Sequence, residues 1–228
     1  MSTVLTPPPA PAPAAGTIDT VADLLHQLGD IPANRVLWDP LPGTATEADV
    51  VRYVDGDNKR LVELIDGTLV EKTMGAYEGR LGLLVGHFVE DFLEGHDLGI
   101  AFGADAPFRI LPRQVRLPDV SFVPWTKLPN RELPRESVAP LIPDLAVEVL
   151  SESNTRREME RKRKDYFTAG VRLVWQIDPD TKSAEVFTTP DDRAVVGADG
   201  ELDGADVLPG FRLSLARLFE RAGRRRSS

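Results

Sequence analysis

Apolar residues along this chain follow two different rhythms. Over residues 76–94, Leu81, Leu84, Val85, Phe88, Val89 and Phe92 recur at steps of three and four, the period of a helix with one buried face. Gly95 follows and marks its end. Elsewhere the apolar runs are short and predict strands at 61–65, 68–72, 98–102, 106–111, 118–123, 145–150, 172–178 and 184–188. Asp66-Gly67 between the first two is a tight-hairpin signal. Residues 145–150 are nearly all apolar, the mark of a central strand covered on both faces.

Between two of these strands, residues 155–169 are charged and helix-forming, and they stop at Gly170. Strand, helix and strand in that order predict a right-handed crossover. Short helices are expected after Thr20, with Val21, Leu24, Leu25 and Leu28 as apolar positions, from Thr46, with Val50, Val51 and Tyr53, and over residues 215–220. The prediction is a mixed α/β (α+β) fold with one mixed central sheet flanked by helices. Residues 7–15 are a Pro/Ala run, so residues 1–16 are expected to form a disordered tail. Residues 17–228 would then be a single domain with an N-terminal helical extension.

Composition narrows the chemistry. The 228 residues include no cysteine, which excludes a disulfide scaffold, a thiolate nucleophile and a Cys-ligated metal. The histidines, His26, His87 and His96, show no ligand spacing. A net charge of −9 excludes a wholly basic nucleic-acid coat but leaves room for a local basic patch. No apolar run approaches the ~20 residues of a membrane span, and no secretory signal is visible. A cytoplasmic protein with no membrane partner is the expectation.

Two carboxylates stand out by context. Glu148 lies inside the most apolar strand, where an ionised carboxylate is costly unless paired or metal-bound. Asp119 opens another strand, directly after Pro118. Two carboxylates on neighbouring strand ends can hold Mg²⁺, which takes hard oxygen ligands. The plainer alternatives are a strand-start aspartate and a glutamate at a wet sheet edge. Glu63, on the hairpin, is either a further acid near the metal or a strand residue facing water. The helix after Glu148 is either a solvated face, with pairs such as Glu158 to Lys162 and Glu160 to Lys164, or the source of a lysine that folds back to Glu148. Met159, Lys162, Tyr166 and Ala169 share one helical face, which turns Lys162 inward and Lys164 away.

Several pieces then resemble one family. They are Leu61-Val62-Glu63-Leu64-Ile65-Asp66-Gly67, Leu117-Pro118-Asp119-Val120-Ser121-Phe122 and Pro143-Asp144-Leu145-Ala146-Val147-Glu148-Val149-Leu150-Ser151. Residues 162–166, Ala169-Gly170-Val171, Val174-Trp175-Gln176-Ile177-Asp178-Pro179 and Asp206-Val207-Leu208-Pro209-Gly210-Phe211 follow in order. Over residues 45–220 the chain resembles the Uma2 family of restriction-endonuclease-like proteins, with the PD-(D/E)xK nuclease core. The resemblance implies that Asp119 and Glu148 are the metal pair. The plain motif places a lysine two residues after the second acid, where this chain has Leu150. The lysine is then the one moved into the following helix, matched by Lys162, with Lys164 as the fallback. Glu63 matches the extra glutamate of such cores. Many relatives carry a histidine at the start of the long helix, where this chain reads Ala76-Tyr77-Glu78.

The implied activity is a Mg²⁺-dependent endonuclease acting on DNA, with Mn²⁺ as a substitute metal. Water would attack the phosphorus, Asp119 and Glu148 would hold the metal, Lys162 would support the nucleophile and Glu63 would assist. A homodimer is a further expectation, because cutting both strands takes two sites. The alternative is an inactive nuclease-like module that binds nucleic acid or a protein partner. Acid/base glycoside cleavage by a carboxylate pair finds no other support in the chain, whose aromatic content is 7%.

Overall fold

The computed structural model describes residues 18–57 and 59–223; the tail expected at residues 1–16 lies outside them. Two short helices come first, α1 (Val21–Gln27) and α2 (Glu47–Asp55). Each begins on a threonine, Thr20 and Thr46, which forms a capping box with the aspartate three residues on. The hairpin of β1 (Val62–Ile65) and β2 (Thr68–Glu71) turns on Asp66 and Gly67, at φ 49° and 83°. Positive φ at both positions matches the right-handed twist of the two strands, as the dipeptide predicted. Next comes α3 (Ala76–Gly95), which buries the apolar stripe read from its spacing except for Phe92, which is half-buried.

Then follow β3 (Gly99–Phe102), β4 (Phe108–Leu111), β5 (Gln114–Arg116), β6 (Val120–Pro124) and β7 (Leu145–Val149). Helix α4 (Arg156–Ala169) leads to β8 (Leu173–Asp178) and β9 (Ser183–Phe187). The chain closes with β10 (Arg193–Val196), β11 (Glu201–Asp203), β12 (Arg212–Ser214) and α5 (Leu215–Ala222).

The central sheet has the order β10-β9-β8-β7-β6-β3. β7 and β8 are parallel, joined by α4 as the crossover, and their other neighbours run antiparallel, so the sheet is mixed. Strand alternation divides the core. Val147 and Trp175 pack with α3 and α5 on one face, and Ala146 and Val174 pack with Tyr166 of α4 on the other. This is the expected mixed sheet flanked by helices.

The expectation of one sheet needs correction. Among the described residues the strands form three: the central one, a four-stranded sheet β2-β1-β5-β4, and the small pair β11-β12. The hairpin joins the second sheet because β5, absent from the predicted strands, pairs with β1 through Leu64 and Val115. Its three residues, Gln114, Val115 and Arg116, offer no apolar run, yet all are buried. Strand β10 also escaped prediction, since three of its four residues are exposed and carry no inward alternation.

The N-terminal extension is locked to the start of α4. Gly29, at φ 96°, lies so close that a Cβ there would sit 2.6 Å from the Glu158 Cα. Arg35 then reaches Glu158 with both terminal nitrogens, at 3.0 and 2.8 Å, in a buried bidentate pair. Helix α4 is thereby fixed at its first turn by Thr155, which accepts from the Glu158 N–H, and at its end by Gly170 at φ 105°.

Candidate active site

The register of the central sheet assembles the two carboxylates. Val120 pairs with Val147, and the Asp119 N–H donates to the Val147 carbonyl at 2.9 Å, which carries the ladder one residue further and sets Asp119 opposite Glu148. The Asp119 side chain turns back onto β7, where Oδ2 accepts from the Val149 N–H at 2.6 Å. On β7, Glu148 alternates with Val147 and so shares the α4 face with Ala146. Beside it in parallel register, Gln176 donates to the Met159 carbonyl of α4 at 3.2 Å.

Lys162 projects from α4 into this face. Its Nζ lies 2.9 Å from Glu148 Oε1 and 2.9 Å from Glu63 Oε1, and its side chain is only 7% exposed. Lys164 is exposed. The structure therefore brings Glu63, Asp119, Glu148 and Lys162 into one buried cluster and leaves the fallback lysine outside it.

Four further side chains complete the cluster, and sequence reasoning gave none of them a polar role. The Tyr166 hydroxyl donates to Glu148 Oε1 at 2.5 Å. Arg116 donates to Glu63 Oε2 at 2.8 Å and also pairs with Asp165. Lys72 lies 2.7 Å from Asp119 Oδ1 and donates to the Leu117 carbonyl at 2.6 Å. Glu63 Oε1 also accepts from the Leu117 N–H at 3.0 Å. A signal for Lys72 was present: Val70 pairs with Glu63, so the residue two further on returns to the face that carries Glu63. Tyr166 stood on the Lys162 face but read only as packing. Arg116 sits on the strand that the apolar pattern missed.

The carboxylates of Glu63, Asp119, Glu148 and Asp165 thus interleave with the cations of Lys72, Arg116 and Lys162. Burial disfavours ionisation of Glu63, but Lys162, Arg116 and the Leu117 N–H outweigh it and hold its carboxyl well below the usual range. At Glu148 burial wins: with Asp119 also adding like charge, its carboxyl is pushed up despite Lys162. Burial opposes the charge on Lys162, yet Glu148 and Glu63 keep it firmly protonated. The Tyr166 phenol is pushed up by burial and by the adjacent carboxylates, so it stays a donor. Removing Lys162 would take one cation from two buried carboxylates at once, Glu63 and Glu148.

The donor set suits a divalent cation only in part. Asp119 and Glu148 present carboxylate oxygens from adjacent strands, the ligand type of Mg²⁺. Among the described residues no group of three or more His, Cys, Asp or Glu is placed to hold a metal, so Glu63 does not complete a protein cage. Two carboxylates suit an ion that keeps several waters and takes substrate phosphate oxygens, which is how Mg²⁺ is commonly held. A groove of about 420 Å³ opens beside Asp119, lined among others by Met74, Leu83, Phe102 and Val120.

The mixed sheet thus sets the carboxylates of Asp119 and Glu148 on adjacent strands, with the helix-borne Lys162 against Glu148. The family model described as "Uma2: Putative restriction endonuclease" matches residues 49–216, and the chain belongs to that family. A solved structure described as a putative nuclease belonging to DUF820, from Anabaena variabilis ATCC 29413, superposes with a TM-score of 0.61. It is 18% identical, and the match covers 72% of this chain and 92% of that one, a likeness of fold. No curated protein matches the chain. Among the described residues no helix is long and apolar enough to cross a membrane.

Proposed function

We propose that this protein is a Mg²⁺-dependent endonuclease that hydrolyses phosphodiester bonds in DNA, with Mn²⁺ able to replace Mg²⁺. The reading is carried by the pairing of Asp119 and Glu148 across adjacent strands with the Lys162 ammonium in contact with Glu148. Mg²⁺ held by Asp119 and Glu148 would supply a Lewis acid for the phosphoryl oxygen and favour ionisation of the attacking water. The chain's own residues do the positioning. Lys162 brings fixed positive charge to the place where negative charge grows on the phosphate. Glu63, itself fixed by Arg116, holds Lys162 in that place, and Tyr166 orients Glu148 through its hydroxyl.

The test is cleavage of supercoiled and linear DNA with Mg²⁺, with Mn²⁺ and with EDTA. Cleavage should need the metal, Lys162→Ala should abolish it, and Lys164→Ala should spare most of it. Reversed effects of the two lysines would refute the placement of Lys162. One observation favours a second reading: Lys72 and Lys162 already neutralise Asp119 and Glu148 within the protein. Wild-type protein that binds DNA but leaves it intact with either metal would establish an inactive binding module.

A further inference from the structure

Lys72 is a buried cation to which the hydrolysis described above assigns no task. It lies one residue beyond β2, where its N–H donates to the Leu61 carbonyl at 2.8 Å and continues the hairpin ladder. Its side chain is 7% exposed. The ammonium meets only oxygens: Asp119 Oδ1 at 2.7 Å, the Leu117 carbonyl at 2.6 Å and the Ala104 carbonyl at 3.5 Å. An ammonium has three N–H donors, and these three acceptors match them. A carboxylate and carbonyls are also the ligands that a hard divalent cation takes.

The two lysines of the site are held unequally. Lys162 is shared by two carboxylates, Glu63 and Glu148, whereas Lys72 has one carboxylate and neutral carbonyls. Lys72 is therefore the cation more easily moved. A divalent ion at Asp119 Oδ1 and an ammonium 2.7 Å from the same oxygen would repel each other at close range in a buried site. The flexible four-carbon stem lets the ammonium withdraw without moving the strand.

We propose that Lys72 is a built-in counter-ion for Asp119, and that a divalent metal enters the site by displacing its ammonium from Asp119 Oδ1. The proposal rests on the reading of Asp119 as a metal ligand. It gives Lys72 a positioning role: it keeps the carboxylate aimed while the metal is absent, and it sets a threshold on metal affinity.

The test reads metal binding rather than cleavage. Mn²⁺ is titrated into the full-length wild type, Lys72→Met, Lys72→Gln and Asp119→Asn, with free Mn²⁺ followed by electron paramagnetic resonance and folding by circular dichroism. Lys72→Met should bind Mn²⁺ roughly tenfold more tightly than the wild type, because the competing charge is gone. Mn²⁺ should also raise its melting temperature more than that of the wild type. Lys72→Gln, which keeps a polar group against Asp119 and Leu117, should show the same direction and serves if the methionine variant does not fold. Equal or weaker binding by the folded Lys72 variants, with wild-type binding lost in Asp119→Asn, would overturn the counter-ion role and leave Asp119 as a ligand. No Mn²⁺ binding at millimolar concentration by any of the proteins would overturn both.

Discussion

Replacing Lys162 by methionine keeps most of the buried stem and removes the charge shared by Glu63 and Glu148. Breaking one side of a buried ion pair costs about 3–5 kcal/mol. The lower end applies here, because Glu63 keeps Arg116 and the Leu117 N–H, and Glu148 keeps the Tyr166 hydroxyl. For a chain of this size each kcal/mol moves the melting temperature by about 2–4 °C, so a loss of ~3 kcal/mol should appear as a drop of ~6–12 °C at pH 7. Lys164→Met, at an exposed position, should stay within ~0.5 kcal/mol of wild type. The variant should also respond to pH in a definite direction. In the wild type, burial and Asp119 already push the Glu148 carboxyl up from 4.5, and loss of Lys162 pushes it further. A carboxyl raised in the folded state favours folding below its unfolded value and forfeits that contribution as pH rises through its folded value. Lowering the pH from 7 towards ~5 should therefore restore part of the lost stability in Lys162→Met relative to wild type. Calorimetric or circular-dichroism melts across that range test this. A Lys162→Met protein that melts within 2 °C of wild type at pH 7, with the same pH slope, would show that the ammonium does not compensate these carboxylates.

The wild type should lose stability in acid through Glu63. Its carboxyl is held below 4.5, so its contribution is complete above that value and disappears as the pH falls towards the folded value; Glu63→Gln should flatten this limb of a pH-dependent urea melt. Arg35→Met, which strands the buried Glu158, should cost ~3–5 kcal/mol in urea denaturation; less than 1 kcal/mol would show that the pair does not secure the N-terminal extension. Gly29→Ala should destabilise by more than Gly170→Ala. Both positions carry positive φ, but only at Gly29 would the new Cβ strike backbone, whereas Gly170 faces open space; equal midpoints would contradict the close approach to α4.

The apolar stripe of α3, the Asp66-Gly67 turn, the β7 strand that is apolar except for Glu148 and the Thr155-to-Gly170 bounds of α4 were legible in the chain, because each is a local pattern enforced by local geometry. Helical angle alone turned Lys162 inward and Lys164 outward, since two residues differ by about 200° on a helix. Other features were decided only by the tertiary structure. The second sheet exists because the polar strand Gln114–Arg116 is buried by partners distant in the chain, which no local pattern records. The charge cluster has the same origin. Lys72, Glu63, Arg116, Asp119 and Glu148 come from five segments, each with an ordinary-looking charge: Arg116 meets Glu63 only when β5 pairs with β1, Lys72 meets Asp119 only when the hairpin packs on the central sheet, and Glu148 meets Lys162 only when α4 docks. Sequence periodicity specifies which face a side chain takes on its own element. Which opposite charge meets it there, and how dry that place is, depends on packing between elements, and that packing sets the opposite directions in which the Glu63 and Glu148 carboxyls are shifted.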